Sequence, residues 1–237
     1  FADKNKSLDY EPKDDEMVIT VHRWFANKSC PGNWLYARLG ELAAKVTEKL
    51  GDADGKVVAS FSGDSKLISA GTTETLSASC RVNGLHFWSW GYGYLYTVRC
   101  SLSSSDVVDI RTGFRKTRFA DGKVWLNDRV IQLKGFAQRT SNEWPAVGMS
   151  VPAWMSDYSN DLMVKANANL VRWMHITPWK QDVESCDRVG LIQAMPAGDA
   201  EKDVEGQRWV QRTQLMRDAI IYNRNNPSIL FYESGNE

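Results

Sequence analysis

The sequence predicts a multidomain fold: an immunoglobulin-like β-sandwich over residues 17–115, then the first half of a (β/α)8 TIM barrel over residues 116–237. Three observations predict it. Between residues 17 and 115, apolar and polar residues alternate in about seven short runs punctuated by Gly, Asn and Ser. After residue 115 the period lengthens, and strand-like runs alternate with helix-like ones in the order of a parallel sheet. The last apolar run, Ile229 to Tyr232, leads into Asn236-Glu237, and the C-terminal ends of barrel strands are where chemistry sits.

Composition bounds the function. In 237 residues, 43% hydrophobic and 24% charged content is that of a globular chain with ample core material. Lys plus Arg (29) equals Asp plus Glu (29), so no long-range field gathers nucleic acid or an anionic membrane surface. No apolar run approaches the roughly 20 residues of a bilayer span, and Phe1-Ala2-Asp3 opens no signal-peptide pattern. Cys30, Cys80, Cys100 and Cys186 lack CxxC or Cys/His spacing, which disfavours zinc, and three scattered His disfavour a metal-dependent hydrolase. The compartment stays open, as does pairing of Cys80 with Cys100. Ten Trp suit core packing, and also stacking on sugar rings.

Residues 1–16 are polar, with Pro12 and an acidic run, and read as a linker to an upstream domain. Met17 to Phe25 is a strand. Ala44, Val46 and Leu50 share one face of a strand that turns at Asp52-Ala53-Asp54-Gly55 into Val57–Phe61; a helix over 41–50 is the weaker alternative. Leu76, Ala78, Cys80 and Val82 alternate, as do Tyr96, Val98, Cys100 and Leu102. His22 and His86 fall among strand and turn residues and are expected to be structural.

Lys123–Leu126 and Val130–Leu133 flank Asn127-Asp128, a hairpin leading to Lys134-Gly135. A helix over 157–167 puts Leu162, Met163 and Ala166 on one face, and Leu170–Arg172 is a short strand. Thr177-Pro178 reads as N-cap and first residue of a helix with a Trp179, Val183, Cys186 stripe, ending at Gly190. Leu191–Ala194 is the next strand. A helix over 207–223 aligns Trp209, Thr213, Met216 and Ile220, and Ile229–Tyr232 is the last strand. Four strands leave two open apolar edges, so the remaining barrel strands must come from elsewhere in the protein or from a partner. A carboxyl leaving an apolar strand is partly desolvated, which raises its pKa and makes Glu237 the candidate general acid.

These residues resemble glycoside hydrolase family 2, the group of β-galactosidases, β-glucuronidases and β-mannosidases. The matching pieces run from Leu85-His86-Phe87-Trp88-Ser89-Trp90 and Leu95-Tyr96-Thr97-Val98 through Gly113-Phe114-Arg115 and Phe119 to Gly135. They continue with Lys165 to Arg172, His175, Cys186-Asp187-Arg188-Val189-Gly190-Leu191, Asn225-Asn226-Pro227-Ser228-Ile229 and Gly235-Asn236-Glu237. The resemblance implies a retaining exo-β-glycosidase, most readily a β-galactosidase, with Glu237 as acid/base and Asn236 binding the sugar 2-hydroxyl. It implies that Arg172 and His175 line the donor-sugar subsite, and that the nucleophile is a Glu on a later strand outside this chain. An N-terminal jelly-roll domain is also implied, and a homo-oligomer is left open.

A retaining glycosidase needs two carboxyls about 5 Å apart. Glu233 lies on the same strand as Glu237, about 13 Å back at the strand rise, so it is expected to face inward and pair with a base such as Arg172. Phe136 to Glu143 departs from the His-Glu pattern of bacterial β-galactosidases. Met195-Pro196 stands where many members have Asp-Glu, which argues against a magnesium site; no metal or cofactor is expected. Arg139 is a candidate to read an anionic sugar, a structural ion pair being the alternative. Of Trp144, Trp173 and Trp179, one is expected to stack on a sugar, with Trp179 the candidate. The alternative from a different class is a carbohydrate-binding or scaffold fragment without turnover.

Overall fold

The computed structural model describes Ala43, Ala44 and residues 46–63, 65–69, 71–102, 106–138, 151–196 and 203–235. They divide into two compact units, one of residues up to Leu85 together with Tyr96–Arg111, the other of His86–Leu95 together with the residues from Thr112 onward. The decapeptide His86–Leu95 therefore belongs to the second unit, an assignment that contiguous sequence boundaries could not express.

In the first unit, β1 (Ala43–Ala44) pairs with β4 (Lys66–Leu67), and a four-stranded sheet has the order β3-β2-β5-β6. Its strands are β2 (Val46–Gly51), β3 (Val57–Ser62), β5 (Tyr96–Leu102) and β6 (Asp106–Thr112). The expected β2–β3 hairpin forms because Asp52 accepts from Asp54 N–H and Lys56 N–H, and Gly55 adopts φ +81°. Leu50, Tyr96, Val98 and Cys100 are buried, as their alternation requires. Glu48 is paired with Cys100 across β2 and β5, and burial raises its pKa. No strand is assigned over 76–82. Leu76 joins a small core with Ile68 and Leu102, but Cys80 is exposed, and Cys80 and Cys100 are both free thiols.

The second unit contains an antiparallel sheet of β7 (Thr117–Ala120), β8 (Lys123–Leu126) and β9 (Arg129–Ile131). Its turns, Asp121-Gly122 and Asn127-Asp128, have positive φ at both central residues, the geometry of two-residue hairpins whose twist matches their strands. β9 is shorter than the expected Val130–Leu133 run.

The unit also holds a four-stranded parallel sheet in sequential order: β10 (Gly135–Gln138), β11 (Leu170–Trp173), β12 (Ile192–Pro196) and β13 (Ile229–Glu233). Between the strands run α1 (Ala153–Lys165), α2 (Lys180–Val189) and α3 (Gly206–Asn223). Val171, Trp173, Met195 and Ile229 pack in clusters with helix residues such as Val183, Cys186 and Ala219. Leu170, Ile192, Leu230 and Phe231 pack with Trp88, Leu95, Leu126 and Ile131, so the hairpin and the decapeptide pack against apolar residues at and near the strand starts.

Helix faces differ from expectation for identifiable reasons. α1 begins at Ala153 and buries Met155, Ser156 and Asn160, while Leu162 is exposed. Ser156 Oγ donates to Asp182 Oδ1 at 2.6 Å and Asn160 Nδ2 to Ser185 Oγ at 3.0 Å, so polar partners on α2 draw a polar face inward. Trp179, not Thr177, occupies the N-cap of α2, because Thr177 Oγ1 donates instead to Pro196 O at 3.2 Å. Val183 and Cys186 are buried as expected, whereas Trp179 is exposed; Gly190 ends the helix at φ +75°. On α3 the buried residues are Ala219 and Asn223, with Met216 and Ile220 half-buried and Trp209 and Thr213 exposed.

Candidate active site

The parallel register puts the C-terminal ends of β10–β13 side by side: Gln138 opposite Trp173, Arg172 opposite Ala194, and Pro196 opposite Glu233. Arg172 Nε reaches across β12 to both oxygens of Glu233, at 2.8 and 3.0 Å. The small Ala194 in register with Arg172 leaves room for that crossing. The ion pair joins the second and fourth strands of the sheet, as the cost of burying a lone carboxylate predicts.

Two bonds fix the loop after β11. Met174 N–H donates to Gln138 O at 2.9 Å, and Thr177 Oγ1 holds Pro196 O. This loop carries His175, half-buried, and leads to Trp179, 52% exposed at the start of α2. Trp173 is excluded from stacking on a ligand: it is 1% exposed and donates Nε1–H to Gln193 Oε1 at 2.7 Å. Glu237, Asn236, Arg139 and Trp144 lie outside the described residues. Thus Arg172 lies on β11, His175 and Trp179 follow it in the loop that leads to α2, and Glu233, the last residue of β13, stands four positions before Glu237.

Sequence reasoning missed what anchors the opposite end of β13. Asp187, near the end of α2, accepts from Ser228 N–H at 3.0 Å and also from Ser228 Oγ–H and Asn226 Nδ2. Burial pushes its carboxyl up to about 6, against those hydrogen bonds and the Lys180 charge, which pull it down. Lys180 Nζ donates to Asn226 Oδ1 at 2.7 Å, and burial lowers its pKa. Gln193, fully buried in β12, donates to Val183 O and Ser228 Oγ, tying β12 to the same turn. The signal available in the sequence was the Asn226-Pro227-Ser228 break facing a charged Asp187 in an apolar helix stripe. Among the described residues, no group of three or more His, Cys, Asp or Glu is arranged to hold a metal ion.

The sequence model for glycosyl hydrolases family 2 matches residues 38–115. A β-glucuronidase of Formosa agariphila is 32% identical over 190 residues, covering 78% of this chain and 19% of its own length. A β-galactosidase of Thermoanaerobacterium thermosulfurigenes is 25% identical over 154 residues, covering 62% of this chain and 21% of its own. Among solved structures, a β-glucuronidase from glycoside hydrolase family 2 superposes with a TM-score of 0.74 at 30% identity, over 81% of this chain and 21% of that one. The β-glucuronidase of Parabacteroides merdae shares the fold, with a TM-score of 0.70 at 22% identity over 82% of this chain and 25% of its own. The β-rich architecture and the parallel sheet end described above are thus those of a carbohydrate-active family: the chain belongs to glycosyl hydrolases family 2. It spans about a fifth of the length of these curated relatives.

Proposed function

We propose that this chain supplies the acid/base half of a retaining exo-β-glycosidase. Its first unit is the immunoglobulin-like sandwich, within 17–115, and its parallel sheet is the first half of the TIM barrel, within 116–237. The remaining strands, with the nucleophile, and a jelly-roll domain come from other sequence. The observation that carries the reading is the Arg172–Glu233 pair at the end of β13, the strand that leads to Asn236-Glu237. An inward-facing carboxylate already neutralised by Arg172 leaves Glu237 as the acid of this strand, able to protonate the leaving oxygen while a second carboxylate attacks the anomeric carbon. Asn236 then binds the 2-hydroxyl, Arg172 and His175 line the sugar subsite, and Trp179 offers an exposed aromatic face to it. Arg139 is the candidate contact for a sugar carboxylate.

The relative at 32% identity is named a β-glucuronidase and the one at 25% a β-galactosidase, so β-glucuronide takes first place and β-galactoside, the sugar expected from the sequence, second. A panel of aryl β-glycosides differing only at C4 and C6, assayed on a polypeptide that carries the later barrel strands, decides between them. Glu237→Gln is expected to lower kcat/KM by roughly 10²–10⁴ on substrates with poor leaving groups. If wild type and variant hydrolyse every glycoside equally poorly, the enzyme reading is wrong and a non-catalytic carbohydrate-binding fragment takes its place.

A further inference from the structure

We propose that the decapeptide His86–Leu95 carries a second carbohydrate-binding site, an aromatic platform built from His86, Tyr92 and Tyr94, at the end of the parallel sheet opposite the strand C-termini. The rings lie together: His86 and Tyr94 stack with centroids 4.7 Å apart at 27°, and Tyr92 and Tyr94 with centroids 5.8 Å apart at 25°. The Tyr92 hydroxyl lies 3.3 Å from His86 Nδ1, which aligns a polar edge along the stack. His86 is exposed and Tyr92 is 47% exposed, while half-buried Tyr94 backs both.

The residues of the segment that enter the core are Trp88 and Leu95, 0% and 5% exposed. The platform is also held rigidly. Trp88 Nε1–H donates to Asp187 O at 2.8 Å and Gly91 N–H to Gly190 O at 2.8 Å. Gly93 lies so close to α2 that a Cβ there would stand 2.0 Å from Arg188 O. Exposed aromatic rings fixed in place by backbone anchors lose little freedom when a flat ligand settles on them. Tyr and His offer the apolar face and hydroxyl-pairing edge that a sugar ring requires. Stacked nucleobases would need cationic partners for their phosphates, and the balanced charge of the chain provides no such field. Because Gly91 adjoins Gly190, just before β12, the platform sits at the far end of the sheet from Arg172 and Glu233, so it would hold a polymeric substrate without occupying the reaction site.

The experiment is affinity electrophoresis of the polypeptide used for hydrolysis, through gels containing soluble β-1,4-galactan or hyaluronan, whose galactose and glucuronate units are β-linked, with excess galactose or glucuronate occupying the catalytic site. Wild type is expected to be retarded in at least one gel. His86→Ala and Tyr92→Ala each weaken that retention about tenfold, the loss of one stacking contact. Tyr92→Phe, which keeps the ring, retains most of it, and hydrolysis of a small aryl glycoside stays unchanged in all three. Wild type that migrates freely in both gels, or variants retarded as strongly as wild type, would overturn the platform. If Tyr92→Ala does not fold, as thermal melting would reveal, exposed His86 alone carries the test. Retention lost in the variants of a protein that hydrolyses nothing would leave the platform standing and remove only the enzyme reading.

Discussion

Replacing Arg172 with Gln tests how the end of β13 is held. The Arg172 and Glu233 side chains are 36% and 18% exposed, and Nε lies within 3.0 Å of both carboxylate oxygens. At that separation an effective dielectric of about 20 gives roughly 5–6 kcal/mol of attraction, most of it offset by desolvation. Exposed pairs are worth about 0.2–1 kcal/mol, and breaking a buried pair costs about 3–5. This half-buried, forked pair falls between, so Arg172→Gln should cost about 2–3 kcal/mol. A double-mutant cycle with Glu233→Gln should give a coupling of about 1–2 kcal/mol in urea unfolding. The same single variant should lower kcat/KM on an aryl β-glycoside at least tenfold, because the strand that leads to Glu237 loses its cross-sheet tether and the proposed subsite loses a cation. A coupling below about 0.3 kcal/mol, with activity intact, would refute the tether.

Gly190→Ala should destabilise the protein far more than Gly91→Ala. Both positions have positive φ and share a left-handed cost of about 1–2 kcal/mol, but a Cβ on Gly190 would lie 2.6 Å from Tyr92 N, whereas one on Gly91 meets open space. Equal melting temperatures would count against the close approach of Gly190 to the Tyr92 backbone. Asp187, with its carboxyl raised from 3.8 to about 6, contributes stability that is fully present below about pH 4 and lost as pH rises through about 6. The loss is at most about 3 kcal/mol, and Asp187→Asn should remove that part of the pH dependence. Among the described cysteines, Cys80 should react with a thiol reagent in the native protein, while Cys100 and Cys186, both buried, react only on unfolding.

What was legible in the sequence was what local chemistry or burial cost decides. Asp52 to Gly55 dictates its own turn, Gly190 its own helix stop, and Glu233 needed a cation because a lone inward carboxylate is too costly. What was illegible depends on partners distant in sequence. Ser156 and Asn160 look solvent-facing until Asp182 and Ser185 meet them, which rotates the buried face of α1 away from Leu162. Thr177 looks like a cap until Pro196 O competes for its hydroxyl. The alternation of Leu76, Ala78, Cys80 and Val82 marks one side as more apolar, but alternation supplies no partner strand.

β13 is fixed at both ends by side-chain contacts, and of the residues that make them only Arg172 also belongs to the proposed sugar subsite. At its start, Asp187 gathers Asn226 and Ser228, and Arg115 donates to Ile229 O; at its finish, Arg172 grips Glu233. Four residues, 229–232, separate Ser228 from Glu233, too few to absorb a displacement of either anchor without moving the segment that follows. A carboxylic acid must sit within hydrogen-bond reach of the oxygen it protonates, and a misplacement of about 1 Å can cost a hundredfold in rate. Substitutions at Asp187 or Ser228, far down the sheet, should therefore lower kcat more than they raise KM. A change confined to KM at those positions would mean that the acid is positioned by other contacts.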